Sequence, residues 1–142
     1  MKVINKKAKF NYNLLDRIEA GISLLGGEAK SVRGGGADLS NSFAKIINGE
    51  IYLVNANIPI SGKKDYSPTR SRKLLLHKNQ IVSLASRLKA KSLTLVATSM
   101  YNKGRLIKVE IALAKGKREF EKRRAIKKKD IEREMAQELT RG

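Results

Sequence analysis

The residue pattern predicts a mainly β fold: a small antiparallel barrel of the OB type with one main helix and a basic C-terminal tail. Three observations lead there. Between Leu106 and Ala114, Ile107, Val109, Ile111 and Leu113 alternate with Lys108, Glu110 and Ala112, the period-two signature of a strand with one buried face. Turn sequences separate further extended runs: Asn48-Gly49 lies between Ser42–Ile47 and Glu50–Val54, and Asn102-Lys103-Gly104-Arg105 between Thr94–Tyr101 and Leu106–Ala114. After Lys115 the composition changes, with nine Lys or Arg and two Glu in residues 115–129. An SH3-like barrel would satisfy the same strand pattern, and no internal repeat is visible.

In chain order, the first ten residues carry four lysines and read as a basic arm. Ile18–Leu25 is rich in apolar residues and predicts a strand, which Gly26-Gly27 breaks. Glu28–Val32 has room for a short helical turn before Gly34-Gly35-Gly36. The hairpin around Asn48-Gly49 follows, then a third extended piece, Ala56–Ile60. Ser61–Lys73 is polar, contains Pro68, and sets Lys63, Lys64, Arg70, Arg72 and Lys73 against Asp65, so it reads as a long basic loop. Lys78–Leu88 places Ile81, Leu84, Ala85 and Leu88 at helical spacing. In the tail, Ile131, Met135 and Leu139 make only a thin stripe. A helix so charged is marginal without tertiary packing, so residues 117–142 are expected to be disordered alone and helical on a partner. The division is a barrel with its basic arm over 1–114 and a tail over 115–142.

The 142 residues hold 31 Lys and Arg against 13 Asp and Glu, a formal net charge of +18. Such an excess destabilises a compact chain by self-repulsion and points to an anionic partner, with nucleic acid favoured over a membrane surface. No apolar stretch has the length of a membrane span, and Met1–Phe10 lacks a signal-peptide core. The absence of cysteine excludes disulfides and thiolate metal sites and suits the cytoplasm. Catalysis finds no support. Gly34-Gly35-Gly36 is not followed by Lys-Ser or Lys-Thr, so it is a structural loop. His77 is the only histidine, read as packed or capping. Asp16 and Glu19 fall on opposite faces of a strand, and no carboxylate cluster suggests a metal. Neither enzyme nor cofactor is expected.

A cationic groove on a barrel can hold a phosphate backbone while aromatic side chains stack on exposed bases. The candidates for stacking are Tyr12, Tyr52, Tyr66 and Tyr101, of which Tyr52 and Tyr101, in strand-like runs, are expected to pack the barrel instead. Tyr12, following the basic arm, is better placed to meet a ligand. Lys63, Lys64, Arg70, Arg72 and Lys73 form a second candidate contact. Charge alone does not separate DNA from RNA.

Several segments together resemble the SsrA-binding protein family, also called small protein B, which serves transfer-messenger RNA. They are Asn5-Lys6-Lys7-Ala8 with Phe10 and Tyr12, Glu19-Ala20-Gly21-Ile22, Gly27-Glu28-Ala29-Lys30-Ser31-Val32-Arg33, Leu39-Ser40-Asn41-Ser42-Phe43, Pro68-Thr69-Arg70-Ser71-Arg72-Lys73-Leu74-Leu75-Leu76-His77-Lys78 and Leu113-Ala114-Lys115-Gly116-Lys117. The resemblance spans nearly the whole chain. It implies an OB-like barrel that binds the tRNA-like domain of that RNA and delivers it to stalled ribosomes. Alanyl-tRNA synthetase and elongation factor Tu would be pathway partners, and the protein would be a monomer. Its RNA-facing positions carry over to Tyr12, Glu19, Leu75 and Lys108, with Asn5, Lys6, Lys30 and Arg33 extending the surface and Arg70, Arg72 and Lys73 joining it. The tail would enter the empty messenger channel of the ribosome and fold there. The residues concerned are Lys115, Gly116, Lys117, Arg118, Phe120, Glu121, Lys122 and Arg123, with Lys127, Lys128 and Lys129 continuing the charge. Departures from the family pattern are Gly27 for a bulky residue, Gly36 for Lys, Phe120 for His or Tyr, and Glu121 for Asp. The rival reading is a ribosomal or other structural RNA-binding protein with a basic extension.

Overall fold

The computed structural model describes residues 2–141, and within its last helix all side chains but those of 119, 120, 125 and 136–141. Seven strands and four helices follow in the order β1 (Lys2–Ile4), α1 (Lys6–Asn11), β2 (Tyr12–Ile22), α2 (Gly26–Arg33), β3 (Phe43–Ile47), β4 (Glu50–Val54), β5 (Arg72–Leu75), α3 (Lys78–Lys91), β6 (Thr94–Lys103), β7 (Leu106–Gly116) and α4 (Glu119–Arg141). The sheet order is β1-β6-β3-β4-β5-β2-β7, and β7 pairs back onto β6. Six strands therefore close into a ring, which removes the exposed edges of an open sheet, while β1 adds to β6 from outside. This is the expected mainly β, antiparallel barrel.

Alternation builds the interior. Ile51 and Leu53 point inward from β4, Leu74 from β5, and Val109, Ile111 and Leu113 from β7. Helix α3 adds Ile81 and Leu84, and α2 adds Val32, to the same core. Strand β6 is buried from Leu95 to Met100 without alternation. A register shift between Ala97 and Ser99 contributes, as does a small second cluster of Ala8, Val96 and Ala114, against which Tyr12 and Leu14 pack.

Several local expectations are corrected. The N-terminal segment is no arm. Asn5 is 2% exposed, donating through Nδ2 to the Leu39 and Ala97 carbonyls at 2.8 Å each and accepting from the Ala8 amide at 3.0 Å, which caps α1. Strand β2 begins at Tyr12 rather than Ile18, because a register shift between Leu14 and Arg17 interrupts the alternation that would have revealed it. Gly26-Gly27 opens α2 rather than merely ending a strand. A Cβ on Gly27 would stand 3.1 Å from Ile60, so Ile60 fills the space a larger residue would occupy. Ala56–Ile60 forms no strand, only a bridge between Asn57 and Asp38, although Ala56 and Ile58 are buried. The basic loop ends early, since Arg72 and Lys73 open β5. The barrel also extends past residue 114: Lys115 and Gly116 pair with Asn13 and Tyr12, and the Lys117 amide donates to Asn11 at 2.9 Å.

The tail takes the helical form expected of it on a partner, as α4. Its first turn is tied to the barrel by Asn13 Nδ2 donating to Glu121 Oε2 at 2.8 Å, while Ile126, Ile131 and Met135 are exposed. The expected role of Phe120 rests on a side chain outside the described residues.

Candidate nucleic-acid interface

The long loop before β5 is organised by a buried ion cluster. Glu28 and Arg72 are both fully buried. Arg72 Nε donates to Glu28 Oε2 at 2.8 Å, its Nη1 to Ala56 O at 2.6 Å, and its Nη2 to Pro68 O at 2.8 Å and the Tyr66 hydroxyl at 2.9 Å. Arg70 Nε donates to the same Glu28 oxygen at 3.0 Å, and the Leu25 amide to the other at 2.8 Å. Burial pushes the Glu28 carboxyl up, but Arg70, the Leu25 amide, Tyr66 and Arg72 together outweigh it and hold it at about 2. Arg72 is therefore unavailable to a ligand and Arg70 is largely engaged. Both act by fixing the loop and the start of β5.

Beside this cluster a groove of about 760 Å³ opens across the barrel. It is lined by Glu19 and Gly21 from β2, the β3–β4 turn and Glu50, Lys73–Leu75 of β5, Leu76, His77, Lys78 and Gln80 leading into α3, Ile81, and Lys108 of β7. Strand pairing explains the convergence. Gly21 lies opposite Leu75 on one side and Lys108 on the other, so residues 33 to 87 positions apart form one row over β5, β2 and β7. The glycine lets the row close up: a Cβ there would stand 3.1 Å from Leu75 Cβ. Leu75 itself is 55% exposed.

Four expected contacts, Glu19, Lys73, Leu75 and Lys108, thus meet in one site. Glu19 is held from β6, across β7, accepting from the Tyr101 hydroxyl and from Lys103 Nζ at 3.2 Å. The Tyr101 hydrogen bond, then Lys103, lowers the Glu19 carboxyl, while burial and then Glu19 push the Tyr101 phenol up to about 12. Tyr101 does not pack the barrel interior as expected. It stands half-buried where β6 leaves the buried run, its hydroxyl on Glu19, and Tyr52 is half-buried beside Glu50 because it falls between inward-facing Ile51 and Leu53. His77 is the N-cap residue of α3 and is exposed at the groove, so of the two expected roles it takes the capping position rather than a packed one, without a cap bond from its own side chain. Its amide donates instead to Gln80 Oε1 at 2.9 Å.

Other expected contacts lie elsewhere. Tyr12 lines a separate cleft with Lys7, Asn41 and Phe43. Lys6 is exposed on α1, and Lys30 and Arg33 are exposed on α2, where Arg33 Nη2 donates to Arg105 O at 2.9 Å. Asn5, buried with both amide atoms engaged, is structural. In the tail, Lys117 Nζ donates to Lys9 O at 3.2 Å, and Arg118, Arg123, Lys127, Lys128 and Lys129 are exposed. Gly21, Glu50, Lys78 and Gln80 line the groove without having been expected there. Gly21 and Lys78 fall within the segments that carry the family resemblance, and Gly21 also lies two residues from Glu19 on one strand face.

Lysines in the groove can neutralise phosphates, exposed Leu75 offers a surface for a base or sugar, and carboxylates accept from base N–H groups or a 2′-hydroxyl. The combination suits RNA better than a small anion. Comparison with known proteins agrees. A family model described as SmpB protein matches residues 2–141. A protein of Thermosipho africanus described as SsrA-binding protein is 46% identical, covering all of this chain and 99% of its own length. One of Persephonella marina, described in the same words, is 47% identical over 93% of this chain and 89% of its own. A solved chain from work described as "tmRNA-SmpB: a journey to the center of the bacterial ribosome" superposes with a TM-score of 0.68 at 41% identity, over 83% of this chain and 85% of the other. Its barrel, its groove and full-length similarity to these proteins agree: this chain belongs to the SmpB family.

Proposed function

We propose that this chain binds transfer-messenger RNA at its tRNA-like domain, through the groove between β5, β2 and β7, and delivers it to stalled ribosomes for rescue and peptide tagging. One observation carries the reading. Glu19, Leu75 and Lys108, far apart in sequence, meet in a single groove with Lys73 beside them. Lys108 supplies attraction to phosphate, Leu75 an apolar surface, and Glu19 an oriented acceptor. Tyr12 and the exposed cations of α1 and α2 extend the footprint outside the groove. On this reading the protein is an RNA-binding adaptor acting in the cytoplasm, with alanyl-tRNA synthetase and elongation factor Tu working on the same RNA. The tail supplies the second activity, entering a vacant messenger channel lined with ribosomal RNA phosphate, where a message already in place would exclude it. Sequencing RNA that co-purifies with the chain at moderate salt tests the first activity. Enrichment of transfer-messenger RNA, lost with Lys108→Ala, is expected. Recovery of ribosomal RNA alone would overturn it.

A further inference from the structure

The groove is unusual for a chain of net charge +18: its lining sets Lys73, Lys78 and Lys108 against Glu19 and Glu50. Lys73 is not free. Its Nζ lies 2.8 Å from Glu50 Oε2, each side chain roughly half-exposed at 48% and 45%. The pair is built by the sheet. Lys73 stands opposite Tyr52, and Glu50 lies two residues before Tyr52 on the same strand face, immediately after the Asn48-Gly49 turn. The Tyr52 hydroxyl lies 3.4 Å from the same Glu50 oxygen. Each partner reinforces the other's charge, Lys73 lowering the Glu50 carboxyl and Glu50 raising the Lys73 ammonium. Lys78 and Lys108, by contrast, form no ion pair among the described residues.

A phosphate approaching Lys73 must displace a carboxylate already in place, so one ion pair replaces another with little net gain. A phosphate approaching Lys108 breaks no ion pair, Glu19 acting on that lysine only from a longer distance. We propose that Glu50 is a specificity-determining residue of the groove: by holding Lys73 it withholds one phosphate contact from RNA in general. RNA that offers only a charged backbone gains from the unpaired lysines alone. RNA whose shape also satisfies Leu75 and Glu19 binds well without that contact. This inference rests on the groove being the RNA site.

The test titrates full-length wild type, Glu50→Gln, Lys73→Ala, the double variant and Lys108→Ala against a transcript of the tRNA-like domain and against poly(U), across a salt series. One additional phosphate contact steepens the log–log salt slope for single strands by about 0.7, which corresponds to about fivefold tighter binding at about 0.1 M salt. Glu50→Gln is expected to show both changes on poly(U), to narrow the preference for the tRNA-like transcript, and to lose the gain when Lys73→Ala is added. Unchanged or weaker poly(U) binding by Glu50→Gln overturns the proposal. So does a gain that survives Lys73→Ala, since it would reflect general repulsion by the carboxylate. If Lys108→Ala weakens the transcript complex while Glu50→Gln has no effect, the groove stands and the masking role falls. If Lys108→Ala leaves both RNAs unaffected, the groove itself is wrong. Equal urea midpoints for Glu50→Gln and wild type show that the exposed pair is not a folding determinant.

Discussion

Replacing Glu28 by Gln leaves its size unchanged but removes the charge that Arg70 and Arg72 share. The folded-state carboxyl sits at about 2 against an ordinary 4.5, a displacement worth about 3 kcal/mol. Breaking a fully buried ion pair by removing one partner costs about 3–5 kcal/mol in general, so two independent routes agree. The sign follows from proton binding. Between pH 4.5 and about 2 the unfolded chain holds a proton at Glu28 that the folded chain does not. Stability from this group is therefore complete above 4.5 and disappears as pH falls through about 2. Urea unfolding of both proteins from pH 7 to pH 2 is the assay. Wild type should exceed Glu28→Gln by about 3 kcal/mol at neutral pH, and the gap should close toward acid. Other lowered carboxylates, among them Glu19, Asp38 and Glu50, contribute equally to both curves and cancel in the difference. Parallel curves, or a neutral-pH gap below about 1 kcal/mol, would refute the assignment of this cluster as the clamp on the 55–72 segment.

Lys108→Ala should weaken binding of the tRNA-like transcript about five- to eightfold at about 0.1 M salt and flatten its salt slope by about 0.7–0.9, read by filter binding or fluorescence anisotropy. Gly21→Ala forces Leu75 away from a Cβ otherwise 3.1 Å distant, so RNA affinity should fall with a stability loss of about 1–3 kcal/mol. Unchanged affinity would show that the row's close spacing is irrelevant. Truncation after Arg118 keeps every barrel strand, and should preserve RNA affinity while abolishing tagging on stalled ribosomes. In the free protein, amides beyond the first turn of α4 should exchange far faster than those of β6 and β7, because the anchor at Glu121, the one side-chain hydrogen bond to the barrel among the described residues of α4, cannot hold so charged a helix against fraying. Equal protection would show a stably docked tail.

Some of the fold is encoded locally enough to read directly. The β6–β7 hairpin, the Asn48-Gly49 hairpin and α3 declare themselves because periodicity and turn chemistry act over a few residues. Net charge likewise identifies the class of partner without reference to shape. The resemblance named Glu19, Leu75 and Lys108 but could not bring them together.

Tertiary structure decided the rest. Arg70, Arg72 and Lys73 look alike in sequence, yet Arg72 is sealed in the interior, Arg70 is held by Glu28, and Lys73 faces the groove against Glu50. Asn5 is spent inside the fold, while Tyr101, expected in the interior, holds Glu19 from outside. The reason is physical. Periodicity specifies which way a side chain points relative to its own strand, whereas its neighbours depend on which distant strands pair, in which register, and where a bulge resets that register. Those pairings are settled by burial and hydrogen bonding over the whole barrel, and no window of adjacent residues contains them.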